Sequence, residues 1–169
     1  MVKRLLIVVT IAVALLGIGF LLFGSKMDKE ERAIRNALDK LVELAQVDGR
    51  ENMISAGSRA HAIADFFVSD ASIKAQSYGV SIGDRNEIKY MTVYLRTHAD
   101  RFEVDLGDVE VQLSDDKTAA ASYADAHLQL RMDGERENAF KEVEFTWRKT
   151  EEGWRITQVQ TLDLVERPL

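Results

Sequence analysis

From Phe102 to Leu162 apolar and polar side chains alternate, the two-residue period of an extended strand with one face buried. That pattern commits the end of the chain to a sheet of long strands. Phe102, Val104 and Leu106 alternate with acids, and the phase then flips so that Val109, Val111 and Leu113 form the apolar set. A phase change across Gly107 predicts a β-bulge or sharp bend, because one extra residue exchanges the two faces. Ser114-Asp115-Asp116-Lys117 predicts a turn. Thr118 to Met132 follows as a strand with Ala120, Ala124, Ala126, Leu128, Leu130 and Met132 on one side. Asp133-Gly134 is a hairpin signal. Val143, Phe145 and Trp147 mark the next strand, Glu151-Glu152-Gly153 a turn, and Trp154 to Leu162 the last strand.

The residues before Phe102 read as helices. Ile34, Leu38, Leu41 and Ala45 recur at i, i+4, i+7 and i+11, one face of a helix that Asp48-Gly49 ends. A second helix is predicted from about Glu51 to Val68, with Ala56, Ala60, Ile63, Ala64 and Phe67 as its stripe. Ala71 to Tyr78 predicts a short strand and Gly79 to Gly83 a turn. Asp84 followed three residues later by Glu87 is a capping-box spacing. A third helix is then predicted to about Ala99, burying Ile88, Met91 and Leu95.

Helix, helix, short strand, helix and four long strands predict an α+β architecture in which a curved antiparallel sheet wraps three helices as a cone. This order resembles the nuclear transport factor 2-like superfamily, with its ketosteroid isomerases, scytalone dehydratases and SnoaL-like proteins. Three stretches carry the resemblance. Phe66-Phe67-Val68-Ser69-Asp70-Ala71-Ser72-Ile73 is similar to the family's approach to its first strand. Gly83-Asp84-Arg85-Asn86-Glu87-Ile88 is similar to its third-helix start. Phe145-Thr146-Trp147-Arg148-Lys149 with Gly153-Trp154-Arg155-Ile156 is similar to its closing hairpin. The resemblance implies the cystatin-like cone over residues 28–165. It does not imply one function, because the superfamily contains enzymes, binders and adaptors.

Carried over residue by residue, the resemblance removes the isomerase site. Its base position falls on Ala75, its hydrogen-bonding acid position on Val143, and residues 28–48 contain no Tyr. Without a carboxylate base or an oxyanion donor nothing there moves a proton or holds an enolate. Scytalone-dehydratase-like chemistry needs His and Asp converging in the cone. His98 continues the stripe of the third helix and is the candidate for that; the other reading is a helix-end His bonded to a carbonyl. Gln158 and Gln160 share the phase of Trp154, Ile156 and Leu162, so they face either the interior or an exposed edge if the strand twists. Together with Tyr78 these residues form the candidate pocket for a small apolar ligand.

Tyr123, His127, Gln129 and Arg131 occupy the other side of their strand and form a candidate interface, although a merely solvated face has the same composition. The three His are scattered, with no i,i+4 pair, so neither a metal nor a cofactor is expected. There is no Cys, which excludes disulfides and thiolate metal sites.

Ahead of this domain, Lys3 and Arg4 precede an uncharged, mostly apolar run from Leu5 to Phe23. Its length approaches the roughly 20 residues that span a bilayer core. Residues 1–24 are therefore expected to be a transmembrane anchor and residues 25–169 the α+β domain. The basic flank places the N-terminus in the cytoplasm and the domain outside it. The competing reading is a cleaved signal peptide, for which the apolar core is long and lacks a clean small-residue cleavage pair. The domain carries 20 basic against 28 acidic residues once Lys3 and Arg4 are set aside from the 22. That balance argues against nucleic acid as a partner. The sequence thus predicts a membrane-tethered, non-catalytic domain for assembly or binding, partnered by a second copy or another envelope protein. This arrangement looks like that of the single-anchor assembly proteins of type IV secretion systems. The alternative is ligand binding or lyase/isomerase chemistry in the cone.

Overall fold

Among the described residues, each of three helices begins where a side chain takes up an otherwise unpaired backbone N–H. In the computed structural model, which describes residues 27–75 and 80–162, helix α1 spans Lys29–Ala45, α2 Met53–Ala64 and α3 Arg85–His98. The Asp28 carboxylate accepts from the Glu30 N–H at 2.8 Å, the Asn52 side chain from Ser55 at 3.0 Å and Asp84 from Glu87 at 2.9 Å. Glu87 reaches back to accept from the Gly83 N–H at 3.0 Å, one residue before the cap residue whose N–H a capping box takes up. The α1 stripe of Ile34, Leu38, Leu41 and Ala45 is buried, as are Ile88 and Leu95 of α3, while Met91 is half-buried.

The strands are β1 (Val47–Asp48), β2 (Phe67–Ala75), β3 (Val80–Ile82), β4 (Ala99–Leu113), β5 (Ala119–Met132), β6 (Glu135–Thr150) and β7 (Gly153–Leu162). They form one sheet in the order β1-β4-β5-β6-β7-β2-β3. All neighbours are antiparallel except β2 and β7, which pair parallel. The expected antiparallel sheet is therefore a mixed one. A parallel pair requires a long crossover, and α3 with the β4–β6 meander supplies it.

Two boundaries differ from expectation for the same reason. The second helix stops at Ala64, and Phe67 and Val68 begin β2 instead of ending the helix. Phe66 accepts the Ile156 N–H at 2.8 Å and Phe67 is registered on Ile156, so pairing with β7 overrides the helical spacing. The predicted turn at Gly79–Gly83 contains β3, which pairs with Ile73 to Ala75.

The β4 bulge occurs where the phase flipped. Gly107 to Glu110 on β4 spans Asp125 to Tyr123 on β5, one residue more, and Asp108 takes a φ of 48°. The β5–β6 hairpin turns on Asp133 and Gly134, with φ of 52° and 83°. A Cβ at Gly134 would meet nothing within 4 Å, so the only cost of Gly134→Ala is its left-handed backbone. That cost is about 1 kcal/mol, and a drop of a few degrees in thermal midpoint is expected by circular dichroism.

One ionic contact ties the helical layer together. The Arg96 guanidinium, on α3, is fully buried. It donates to the Leu44 and Gln46 carbonyls at 2.7 and 3.1 Å, and to both carboxylate oxygens of Glu51 at 2.6 and 3.0 Å. Helix α1 has no basic residue in its last turn. Arg96 therefore supplies from a distance the donors its terminal carbonyls lack.

Leu5–Phe23, Tyr78 and the stretch after Leu162 lie outside the described residues. Among those described, no helix is long and apolar enough to cross a membrane.

Candidate functional site

The helices pack on one face of the sheet, and strands β4, β5 and β6 present the other. Alternation along β5 puts Ala120, Ser122, Ala124, Ala126, Leu128 and Leu130 in the core. Tyr123, Asp125, His127, Gln129 and Arg131 therefore line the outer face. All four predicted interface residues occupy this face in one row along β5.

The two amides predicted for the pocket join them. Gln158 and Gln160 do not share the interior with Ile156, because Thr146 and Trp147 on β6 face Gln158 and Ile156 on β7, leaving Thr157 as an extra residue. This bulge turns Val159 and Thr161 inward and the amides outward. The sign of it is in the sequence: Ile156 and Val159 are an odd number of residues apart, which unbroken alternation does not allow.

On the outer face these residues form a network. Tyr123 Oη donates to Glu144 at 3.2 Å, Gln160 donates to the other Glu144 oxygen, and Gln158 donates to Gln160 at 2.9 Å. Burial, with the Glu144 carboxylate next to it, pushes the Tyr123 phenol above its usual pKa, so it stays a neutral donor. Next along β5, His127 stacks on Phe140 with ring centres 4.1 Å apart and planes 5° from parallel. Phe140 is 74% exposed, a large apolar ring on an open sheet. Sequence reading missed it because Phe140 lies out of phase with the inward set of β6. An open groove of about 570 Å³ runs beside the stack, lined by Asp105, Asp125, His127, Phe140, Glu142 and Leu162.

The candidate pocket is thus not assembled as predicted. His98 is exposed at the end of α3, stacked on Tyr94 at 4.2 Å, with Nδ1 2.9 Å from the Tyr94 carbonyl oxygen. The positions matching the isomerase base and acid, Ala75 and Val143, are 0% and 1% exposed and carry no titratable group.

The buried polar residues among those described are Thr92, Arg96, Ser122 and Thr161. Thr92 bonds the Ile88 carbonyl, and Ser122 accepts from Trp147 Nε1 at 2.8 Å. Thr161 Oγ1 has no partner among the described residues. No group of three or more His, Asp or Glu among them is placed to hold a metal ion.

The SnoaL-like domain family matches residues 30–160, from the start of α1 almost to the end of β7. The chain belongs to this family. Solved structures share the fold of this SnoaL-like domain. A candidate aromatic ring hydroxylase from Novosphingobium aromaticivorans superposes with a TM-score of 0.65 at 18% identity, covering 83% of this chain and 91% of its own. A candidate calcium/calmodulin-dependent protein kinase II association domain from Xanthomonas campestris gives 0.61 at 16% identity, covering 89% and 99%. A nuclear transport factor 2-like superfamily protein from Salmonella enterica gives 0.60 at 13% identity, covering 81% and 96%. Identities this low establish the fold alone. No curated protein matches the chain.

Proposed function

We propose that this SnoaL-like domain is a non-catalytic assembly or binding module, held to a membrane by Leu5–Phe23 with residues 25–169 outside the cytoplasm. The observation that carries the reading is the distribution of chemistry over the sheet. The base and acid positions inside the cone are alanine and valine, whereas Tyr123, His127, Glu144, Gln158, Gln160 and the exposed Phe140 gather on the open outer face. Tethering supports such a role, because confinement to a bilayer raises the effective concentration of partners. One solved structure of similar fold is named a candidate calcium/calmodulin-dependent protein kinase II association domain, which is in keeping with this reading.

A second reading, a small apolar ligand inside the cone, rests on the unpartnered Thr161 hydroxyl. A buried donor without an acceptor costs about 1–3 kcal/mol, which a ligand oxygen or a water would offset.

Co-purification from detergent-solubilised membranes with intact-mass spectrometry separates the two. The expected result is an unprocessed N-terminus and stoichiometric capture of a second copy or of another envelope protein. Capture should drop at least tenfold in Tyr123→Ala/His127→Ala. Recovery of a lone chain carrying a small molecule would move the assignment to the cone, and loss of that molecule in Thr161→Val would locate it.

A further inference from the structure

Strand β6 outruns one of its two neighbours. It pairs with β5 as far as Glu135, whereas its pairing with β7 stops at Glu142, opposite Leu162. Among the described residues, 135–141 therefore present an open strand edge, and a row of unpaired N–H and C=O groups is a template for another strand. The side chains on this stretch are also incompletely covered. Phe140 is 74% exposed, and Ala139, on the opposite face, packs against the core while staying half-buried. Arg136 and Glu137 have no ion-pair partner among the described residues.

We propose that the occupant of this edge is residues 163–169 of the same chain, continuing β7 along β6 in the register already set. That register places Thr161 on Val143 and Leu162 on Glu142. Carried on, it sets Asp163 opposite Lys141, Leu164 opposite Phe140, Val165 opposite Ala139, Glu166 opposite Asn138 and Arg167 opposite Glu137. Two of these pairs join opposite charges, two join apolar side chains, and one sets a carboxylate against an amide. Leu164 and Glu166 share the outer face with Phe140 and Arg136, so Glu166 stands diagonal to the Arg136 guanidinium. The groove beside the His127–Phe140 stack is lined at one end by Leu162, and Leu164 enters it against the exposed ring. A slip of one residue destroys the match in either direction. One slip sets Asp163 on Glu142; the other sets Glu166 on Glu137 and Arg167 on Arg136, like charge on like charge. Pro168 then falls on the new edge, where a residue without an N–H offers a further strand no donor. The edge is closed within one chain, whether or not the outer face takes a partner.

The chain contains no cysteine, so an introduced pair reports a single proximity. In the full chain in detergent, Ala139→Cys/Val165→Cys is expected to oxidise to a disulfide within one chain. Directly opposed residues hold their Cα atoms about 4.5–5.5 Å apart, a separation a disulfide spans. Ala139→Cys/Glu166→Cys, one residue out, sends its two side chains to opposite faces and should oxidise at least about tenfold more slowly. Intact mass separates a bond within one chain from a covalent dimer. Equal rates for the two pairs, or no bond in either, would overturn the proposal. A covalent dimer would overturn it too, by assigning the edge to the same segment of a second copy. Charge exchange supplies a reading that needs no cysteine. Glu137→Arg and Arg167→Glu each set like charges across the two strands, and each should speed amide exchange in residues 135–141 by about threefold. The double variant should return to the wild-type rate. Exchange in that stretch that ignores both single reversals would count against the register.

Discussion

Arg96→Ala is expected to lower the unfolding free energy by about 3 kcal/mol, because it leaves the partly buried Glu51 carboxylate only Arg59 at 3.6 Å and α1's last carbonyls without donors. Arg96→Met isolates the charge effect, since its unbranched chain refills much of the volume. Adding Glu51→Gln to Arg96→Met should recover part of the loss, because removing both charges of a buried pair costs less than removing one. The Arg96 hydrogen bond, strengthened by its charge, holds the Glu51 carboxyl below its usual pKa against the opposing effect of burial. A carboxyl whose pKa is lowered by folding stabilises the native state above its unfolded pKa. It loses that contribution as the pH falls through the folded value. Urea unfolding from neutral pH into the range below the ordinary glutamate value should show the wild type losing stability. Glu51→Gln should start lower and fall less steeply. Equal acid slopes for the two proteins would contradict the assignment.

Trp147→Ala is expected to cost about 3–5 kcal/mol, the range for deleting a large aromatic from a packed core. Trp147 is 1% exposed, lies 6.1 Å from Phe145 between ring centres, and donates its indole N–H to Ser122. Trp147→Phe separates volume from polarity: it keeps much of the ring and leaves the buried Ser122 hydroxyl without its donor. Ser122→Ala should therefore be less damaging in the Trp147→Phe background than in the wild type, since an apolar replacement of both partners leaves no orphan. Equilibrium denaturation of the four proteins measures this coupling directly. Phe140→Ala is the control, an exposed ring whose loss should change monomer stability by no more than about 0.5 kcal/mol.

These two effects differ in how far the sequence announces them. Trp147 was legible, because Val143, Phe145 and Trp147 keep one phase and a strand with period two can only send them to one side. Arg96 was not. It follows Leu95 in a helix, and nothing local distinguishes it from a solvated arginine; only the packing of α3 against the end of α1 and the start of α2 buries it. Phe67 and Val68 show the same division. Their spacing continues the α2 stripe, and the hydrogen bonds offered by β7, far away in the chain, decide that they extend as strand. A single residue, Thr157, carried Gln158 and Gln160 to the outer face through its bulge, and His98 lies exposed at the end of α3. Tyr123, His127, Gln129 and Arg131 share one face because β5 continues its alternation unbroken from Ala119 to Met132.

By itself the sequence determined the three helices and the four long strands, the capped start of α3, the bulge after Gly107, the Asp133-Gly134 hairpin and the apolar character of Ala75 and Val143. All of these follow from neighbours within a few residues, where backbone sterics, capping and side-chain period operate. Tertiary structure alone decided the parallel β2–β7 pair, the burial of Arg96 and the gathering of Tyr123, Glu144, Gln158 and Gln160 into one network. Those depend on which distant strand supplies the hydrogen bonds and in which register, and a one-residue change in register moves every side chain beyond it to the opposite face.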